Sequence, residues 1–539
     1  MTMEAKRFLY TLMRFVVRPV TVQPVFFLLL YILLNVLDIY SIAIFHSFSP
    51  LFKVISGFFF CYIFALPVIL LPDKTRKIYK SIVLLVAIVL FAVDIYLLQQ
   101  YRETLNTMSL DAVAAVLATN PDEAKEFFLV YFTADKLLVI LFFISLLLSA
   151  FYYLNRFKFK WNSVGELLVA IFVVFSLIIS VFRLSTIRTS NLYFLLTSKA
   201  IDLREYRQNP DVVYNCERPD NIVIILGESF SKRHSSLYGY EKQTNPLLEK
   251  MAEERLLFVF EDIESNAVST IPAVKSIMMS YTTEMADSLE WYECLTLLEI
   301  MQKSGYSTNW ISNQTKKGLM NNDVGCFSDL CDKQYFMDSD VLAVDKETYT
   351  SYFDERVIGV VEDFLSASIG KAFYIVHLMG SHYIYGSRYP ETFSKFIPRD
   401  YEVSCPQLTY DNRKVVAEYD NSILYNDSVV YELMKCFENE DAVVFYFSDH
   451  GQDVFDSSNS YAGHAHINNP ISYKAGIEVP FMVYTTPLFR EKHPQLQERI
   501  ERSVSTPYRT DSIMYTIMDV AGIETLNGGS YKHKSLFMQ

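Results

Sequence analysis

Five long apolar runs, at about 23–46, 51–71, 81–99, 137–154 and 164–182, constrain this chain more than any other feature. Each approaches the ~20 residues that a helix needs to cross bilayer hydrocarbon. A cleaved targeting peptide carries one short apolar stretch of about 7–15 residues with a small-residue cleavage site, so this succession predicts spanning helices, the first retained as an anchor. The 539 residues are nonetheless 20% charged with a net charge of -13, so the apolar part must be joined to a polar one. Only 17 Gly and 18 Pro exclude collagen and low-complexity disorder. The acidic balance gives no basis for a nucleic-acid partner, which needs clustered Lys and Arg.

Basic residues set the orientation. Lys6, Arg7, Arg14 and Arg18 precede the first run, Lys74, Arg76, Lys77 and Lys80 separate the second from the third, and Arg156, Lys158 and Lys160 separate the fourth from the fifth. All three clusters fall on one side, which the positive-inside rule makes cytoplasmic. Residues 1–160 hold 15 Lys and Arg against 10 Asp and Glu, and the remaining 379 hold 33 against 51, so the acidic half is the exported one. The expected layout is a five-helix membrane domain over 1–183 with an extracytoplasmic loop at 100–136, a polar irregular connector over 184–218, and an extracytoplasmic domain over 219–539. Six of the seven cysteines lie in the exported part, where Cys326 and Cys331 enclose a short loop and are an expected disulfide pair. Buried thiols are the alternative.

The loop between the third and fourth runs has a helical period over 108–125, with polar Asp111, Thr119 and Glu123. It suits a helix lying along the membrane surface. Thr119 and Glu123, four apart, share a face that either meets a lipid headgroup or is merely solvated.

In the exported part, Asn221–Leu226, Ala372–His377 and Ala442–Phe447 are apolar runs of strand length separated by helical or loop segments, which predicts an α/β fold with a mostly parallel central sheet. In such sheets chemistry gathers beyond the carboxyl ends of the strands. The residues found there are Glu228, His382 and the Ser448-Asp449-His450-Gly451 sequence, with Gly463-His464-Ala465-His466 following. Oxygen and nitrogen donors of these types suit zinc. Any one Asp-His pair is commonly structural; three strand ends that each deliver such a group favour a metal site. A nucleophile is offered by Thr270, in Ser269-Thr270-Ile271-Pro272, at the expected start of a helix whose free N–H groups favour a phosphoryl group. The plainer alternative is a helix cap followed by an early Pro.

With these segments in place, the chain resembles the bacterial phosphoethanolamine transferases, inner-membrane enzymes of the alkaline phosphatase/sulfatase superfamily that modify lipid A or the lipopolysaccharide core. The resemblance rests on Ile225–Ser229, Trp310–Gln314, Val376–His382, Tyr419–Asp427 and Phe447–Gly451. It implies that Glu228, Thr270, Asp449 and His450 hold a catalytic Zn2+ and that Thr270 is the nucleophile. His382 with His464 or His466 corresponds to an outer pair that holds the transferred phosphate or a second zinc; the preceding Gly favours His464. Lys316 or Lys317 falls where the family has a basic residue near the substrate. Thr119 and Glu123 fit a family pattern of Asn, Thr and Glu at four-residue intervals for the lipid donor; Ala115 replaces the Asn, and Asp111 is the substitute one turn earlier.

The implied reaction moves phosphoethanolamine from phosphatidylethanolamine to Thr270 and then to a lipopolysaccharide or other envelope-glycan acceptor, with His382 and His464 moving protons. The enzyme is expected to be a monomer, multi-pass in the inner membrane, with its catalytic domain in the periplasm. Two rivals share the motifs. Thr270-Ile271-Pro272-Ala273-Val274 mimics the sulfatase Cys/Ser-x-Pro-x-Arg pattern, but Thr cannot become formylglycine and Val274 stands in place of Arg. A glycerophosphate transferase resembling lipoteichoic acid synthases would use phosphatidylglycerol instead.

Overall fold

A computed structural model of the chain describes residues 3–45, 49–101, 134–154, 156, 160–188, 202–280, 290–314, 316, 324–336, 353–459, 461–465 and 469–538. The chain divides near residue 198 into two compact units. The first contains α1 (Met3–Thr21), α2 (Pro24–Phe45), α3 (Ser49–Leu70), α4 (Asp73–Tyr101), α5 (Ala134–Leu154) and α6 (Ser163–Arg188), so each of the five apolar runs is helical. Among the described residues, Leu51–Leu70, Asp73–Ile95 and Ser163–Val181 are long and apolar enough to cross a membrane. A fourth span is obtained if Tyr10–Thr21 and Pro24–Leu37, bent by 63°, are taken together; Leu138–Leu147 on α5 is shorter. The apolar pattern did not mark α1. The loop carrying Asp111, Ala115, Thr119 and Glu123 lies outside the described residues.

The second unit is built on a seven-stranded sheet. Its strands are β1 (Asn221–Gly227), β2 (Leu257–Val259), β3 (Ser307–Ser312), β4 (Lys333–Phe336), β5 (Ala372–His377), β6 (Ala442–Ser448) and β7 (Phe481–Thr485). They lie in the order β2-β7-β6-β1-β5-β3-β4. All neighbours are parallel except β7, which is antiparallel to β6 and β2. The three apolar runs form the adjacent central strands β5, β1 and β6, buried on both faces, which is why each is continuously apolar. Alternation sends Ile222, Ile224, Leu226, Phe373 and Phe445 into one core and Val223, Ile225, Tyr374, Val444 and Tyr446 into the other. The first core includes α8 (Thr270–Met278) through Val274, Ile277 and Met278. The second includes α9 (Tyr410–Cys436) through Val416, Ile423, Val430 and Leu433, and α7 (Pro246–Glu253) through Leu248 and Met251. The domain is therefore an α/β/α layered fold around a mostly parallel sheet.

Two expectations are corrected. The described part of the 184–218 connector is ordered: Val212–Tyr214 pairs antiparallel with Ile523–Leu526, and Arg218 stacks 4.0 Å over the Tyr214 ring. The run looked irregular because its strand is only three residues long and finds its partner some three hundred residues later. Cys326 and Cys331 are both thiols. Cys326 lies in the helical turn Gly325–Ser328, and the Cys331 Sγ donates to the Phe327 carbonyl at 3.9 Å. The turn that follows Ser328, closed by Leu330 N–H on the Phe327 carbonyl and Cys331 N–H on the Ser328 carbonyl, carries Cys331 out of that helical turn.

Candidate metal and nucleophile site

Register brings the site together. Leu226 of β1 pairs with both His377 and Phe447, and Gly227 pairs with Ser448, so the central strands end level. The residues that follow, Glu228 and Asp449-His450, emerge side by side. Glu228, Asp449 and His450 are buried, at 1%, 0% and 0% exposure. They present ligand atoms that all lie within 4.8 Å of one another. Thr270 closes the set from α8, with its Oγ1 at 3.3 and 3.2 Å from the two Glu228 oxygens and 3.4 Å from His450 Nε2. The helix cap is Ser269, whose side chain makes no capping bond, so a capping role does not account for the Thr270 hydroxyl.

The donors are held from behind. His450 Nδ1 bonds the Gly451 carbonyl at 2.8 Å, which fixes the ring and turns Nε2 toward Glu228 at 3.1 Å. Asp449 Oδ1 accepts from the backbone N–H groups of His450 at 2.7 Å and Ser229 at 3.2 Å. The other oxygen, Oδ2, is buried without a hydrogen-bond partner. Burial, and then the charge of Glu228, push the Asp449 carboxyl up to about 7. Burial pulls His450 down, but Asp449 and Glu228 outweigh it and raise the imidazole to about 9. Burial also acts to raise Glu228, yet His450 holds it below the ordinary carboxylate range. Two buried carboxylates, one with an unpartnered oxygen, draw in positive charge, so the donor set fits a divalent cation.

Next to this set stands a row of imidazoles. The His464 ring centroid is 5.1 Å from His450 and 6.4 Å from His382. His382 bonds the Tyr383 carbonyl through Nδ1 at 2.7 Å, leaving Nε2 for chemistry. Burial, followed by the neighbouring His450 and His382, pushes His464 down to about 3, so its imidazole is neutral at physiological pH. The structure thus brings Glu228, Thr270, His382, Asp449, His450 and His464 to one sheet edge. Lys316 turns its amine to Asp329 at 2.5 Å and Gln334 at 2.6 Å. Lys317 and His466 lie outside the described residues.

Four supporting residues were given no role by the sequence, although Ser229 and Gln314 lie in segments that carry the resemblance. Ser229 gives its Oγ hydrogen to Glu228 at 2.8 Å, accepts from Gln452 Nε2 at 2.9 Å, and holds φ at 62°. Gln314 Nε2 donates to Glu228 at 3.3 Å and to the Leu378 carbonyl at 2.9 Å. Buried Asp354 accepts from Met379 N and Gly380 N, both at 2.8 Å, and so holds the loop that carries His382. The available signal was position: Ser229 directly follows a strand-end carboxylate, and Gln314 follows β3.

The family model named Sulfatase matches residues 220–523. Over 308 residues the chain is 30% identical to phosphoethanolamine transferase EptC of Escherichia coli (strain K12), covering 57% of this chain and 51% of that protein. It spans about half the length of the curated relatives it matches. It is also similar to the zinc complex of the C-terminal periplasmic domain of EcEptC from Escherichia coli, at 27% identity and a TM-score of 0.54, covering 61% of this chain and 90% of that one. The integral membrane protein lipooligosaccharide phosphoethanolamine transferase A (EptA) from Neisseria meningitidis shares the fold along both units, at 21% identity and a TM-score of 0.65, covering 95% of this chain and 97% of that one.

Proposed function

The chain belongs to the sulfatase family, and from that premise we propose that it is a zinc-dependent phosphoethanolamine transferase acting through a covalent intermediate on Thr270. Membership does not bring sulfatase chemistry with it, because Thr270 cannot supply formylglycine and Val274 stands where the sulfatase pattern has Arg. The observation that carries the proposal is the Thr270 hydroxyl, set at the start of α8 against the Glu228 carboxylate and His450.

Glu228, Thr270, Asp449 and His450 would hold the zinc, which when bound favours the Thr270 alkoxide and offsets phosphoryl charge. Support for zinc comes from this donor set and from the related domain crystallised with Zn. Thr270 Oγ1 attacks the phosphorus of phosphatidylethanolamine; the bond to the diacylglycerol oxygen breaks, and that oxygen takes a proton. Phosphoethanolamine remains esterified to Thr270, where the backbone N–H groups of Thr270 and Ile271 at the start of α8 would favour its negative charge. An acceptor hydroxyl or phosphate then attacks the same phosphorus, and Thr270 regains its proton. Neutral His464 is suited to accept a proton from an attacking oxygen, and His382 to hold or relay one through Nε2.

The acceptor is proposed to be lipopolysaccharide, in its core or lipid A. The five apolar helices would place the chain in the bacterial inner membrane with the catalytic unit in the periplasm, as a monomer. Asp111, Thr119 and Glu123 are proposed to contact the lipid donor, and Lys316 or Lys317 the substrate. His466 remains a candidate outer ligand beside His464. The test is transfer from phosphatidylethanolamine by the purified enzyme in vesicles: Thr270→Ala should abolish it with the melting temperature unchanged, and Asp449→Asn should lose bound zinc together with activity. Transfer retained by Thr270→Ala would sink the covalent scheme.

A further inference from the structure

The helix α1 has three distinct faces. Val17 and Val20 are buried against the other helices of its unit. Phe8, Leu12 and Phe15, at i, i+4 and i+7, are exposed at 69%, 48% and 51%. Arg7, Arg14 and Arg18 form a separate exposed stripe at i, i+7 and i+11. An apolar face beside a basic face is the pattern of a helix lying in the plane of a membrane surface.

Its direction agrees. Tyr10–Thr21 is bent by 63° from the Pro24–Leu37 segment that follows. Arg7 and Arg18 are separated by about 16 Å along the helix, at 1.5 Å per residue. Were α1 half of a spanning segment, these arginines would sit at widely different depths, at least one of them in costly hydrocarbon. Lying flat, all three reach one headgroup layer while Phe8, Leu12 and Phe15 enter the acyl boundary together. Contacts fix that depth: Arg14 pairs at 3.6 Å with Glu166 in the first turn of α6, and Lys80 near the start of α4 bonds Gln23 at the α1–α2 break. Both contacts tie α1 to the beginnings of α4 and α6, two helices long and apolar enough to cross a membrane.

We propose that α1 is an interfacial helix that binds anionic phospholipid headgroups through Arg7, Arg14 and Arg18. The stripe's charge selects anionic lipids over zwitterionic ones, and the exposed aromatic face sets the depth. This is independent of the chemistry proposed for the exported unit.

The full-length protein, carrying p-benzoylphenylalanine singly at Phe8, Leu12 or Phe15, is reconstituted in vesicles of phosphatidylethanolamine and phosphatidylglycerol and irradiated. All three positions are expected to cross-link to the upper acyl chain, with phosphatidylglycerol enriched about fivefold over its bulk share, the effect of about one well-placed basic residue. The enrichment is expected to vanish in Arg7→Gln/Arg14→Gln/Arg18→Gln. High salt, which screens headgroup attraction, is expected to do the same on the unaltered helix should that variant fail to insert. Adducts that move progressively deeper along the chain from one position to the next, or phosphatidylglycerol captured only at its bulk share, would overturn the proposal.

Discussion

Ser229→Ala is the substitution that isolates how the donor carboxylates are aimed. Ser229 holds both at once, Glu228 through its hydroxyl at 2.8 Å and Asp449 through its backbone N–H at 3.2 Å. Gln452 fixes that hydroxyl in turn, at 2.9 Å. Alanine keeps the N–H and removes only the hydroxyl. A hydrogen bond to a buried charged group contributes about 1.5–3 kcal/mol, and loss of such an outer partner typically costs 10–100-fold in metal affinity. Gln452 would also lose its acceptor inside a buried pocket. Zinc affinity measured by competition with a chelator should therefore fall by about one to two orders of magnitude, with kcat falling at limiting zinc and recovering as zinc is raised. Affinity equal to the parent enzyme would refute the argument that Ser229 sets the geometry of Glu228.

Two further substitutions probe the scaffold. A Cβ on Gly380 would lie 2.7 and 2.8 Å from the backbone O and N of Glu228, at a φ of 52°. Gly380→Ala is thus expected to destabilise the protein by about 2–4 kcal/mol through overpacking and left-handed strain, read from unfolding curves. Buried His234 lies 2.6 Å from buried Asp420. Burial works to lower its pKa, but Asp420 outweighs this and raises it. A histidine raised on folding contributes stability that is complete below about pH 6.5 and drains as pH rises through the folded value. The melting temperature should decline across that range, and His234→Gln should flatten the decline; an identical slope in the variant would refute this role.

The edge that carries the candidate site was legible because strand ends are written locally. Asn221–Gly227 and Ala442–Ser448 are continuous apolar runs, so Glu228 and Asp449-His450 could be placed before their register was known. Thr270 was legible as a helix start, but its orientation toward Glu228 depends on the packing of Val274, Ile277 and Met278, which no local pattern encodes. Long-range pairing was hidden for the same reason: nothing near Val212–Tyr214 points to Ile523–Leu526, nor does anything near Ala372 reveal that Asp354 caps its outgoing loop. The helix α1 was obscured because its apolar residues are interrupted by the arginines that give it two exposed faces, so it has no continuous apolar run. Between Cys326 and Cys331, proximity in sequence suggested a bond, yet both are thiols, with Cys326 in the helical turn Gly325–Ser328 and Cys331 beyond its end.

The central claim is covalent transfer through Thr270, and the most direct measurement is which headgroup that residue acquires. The enzyme is supplied with phosphatidylethanolamine or phosphatidylglycerol labelled in the headgroup, quenched before acceptor is added, and digested for mass spectrometry. The account predicts the ethanolamine label on the peptide carrying Thr270 and its disappearance in Thr270→Ala. Glycerol label on Thr270, or label transferred to acceptor with none ever found on Thr270, would contradict it.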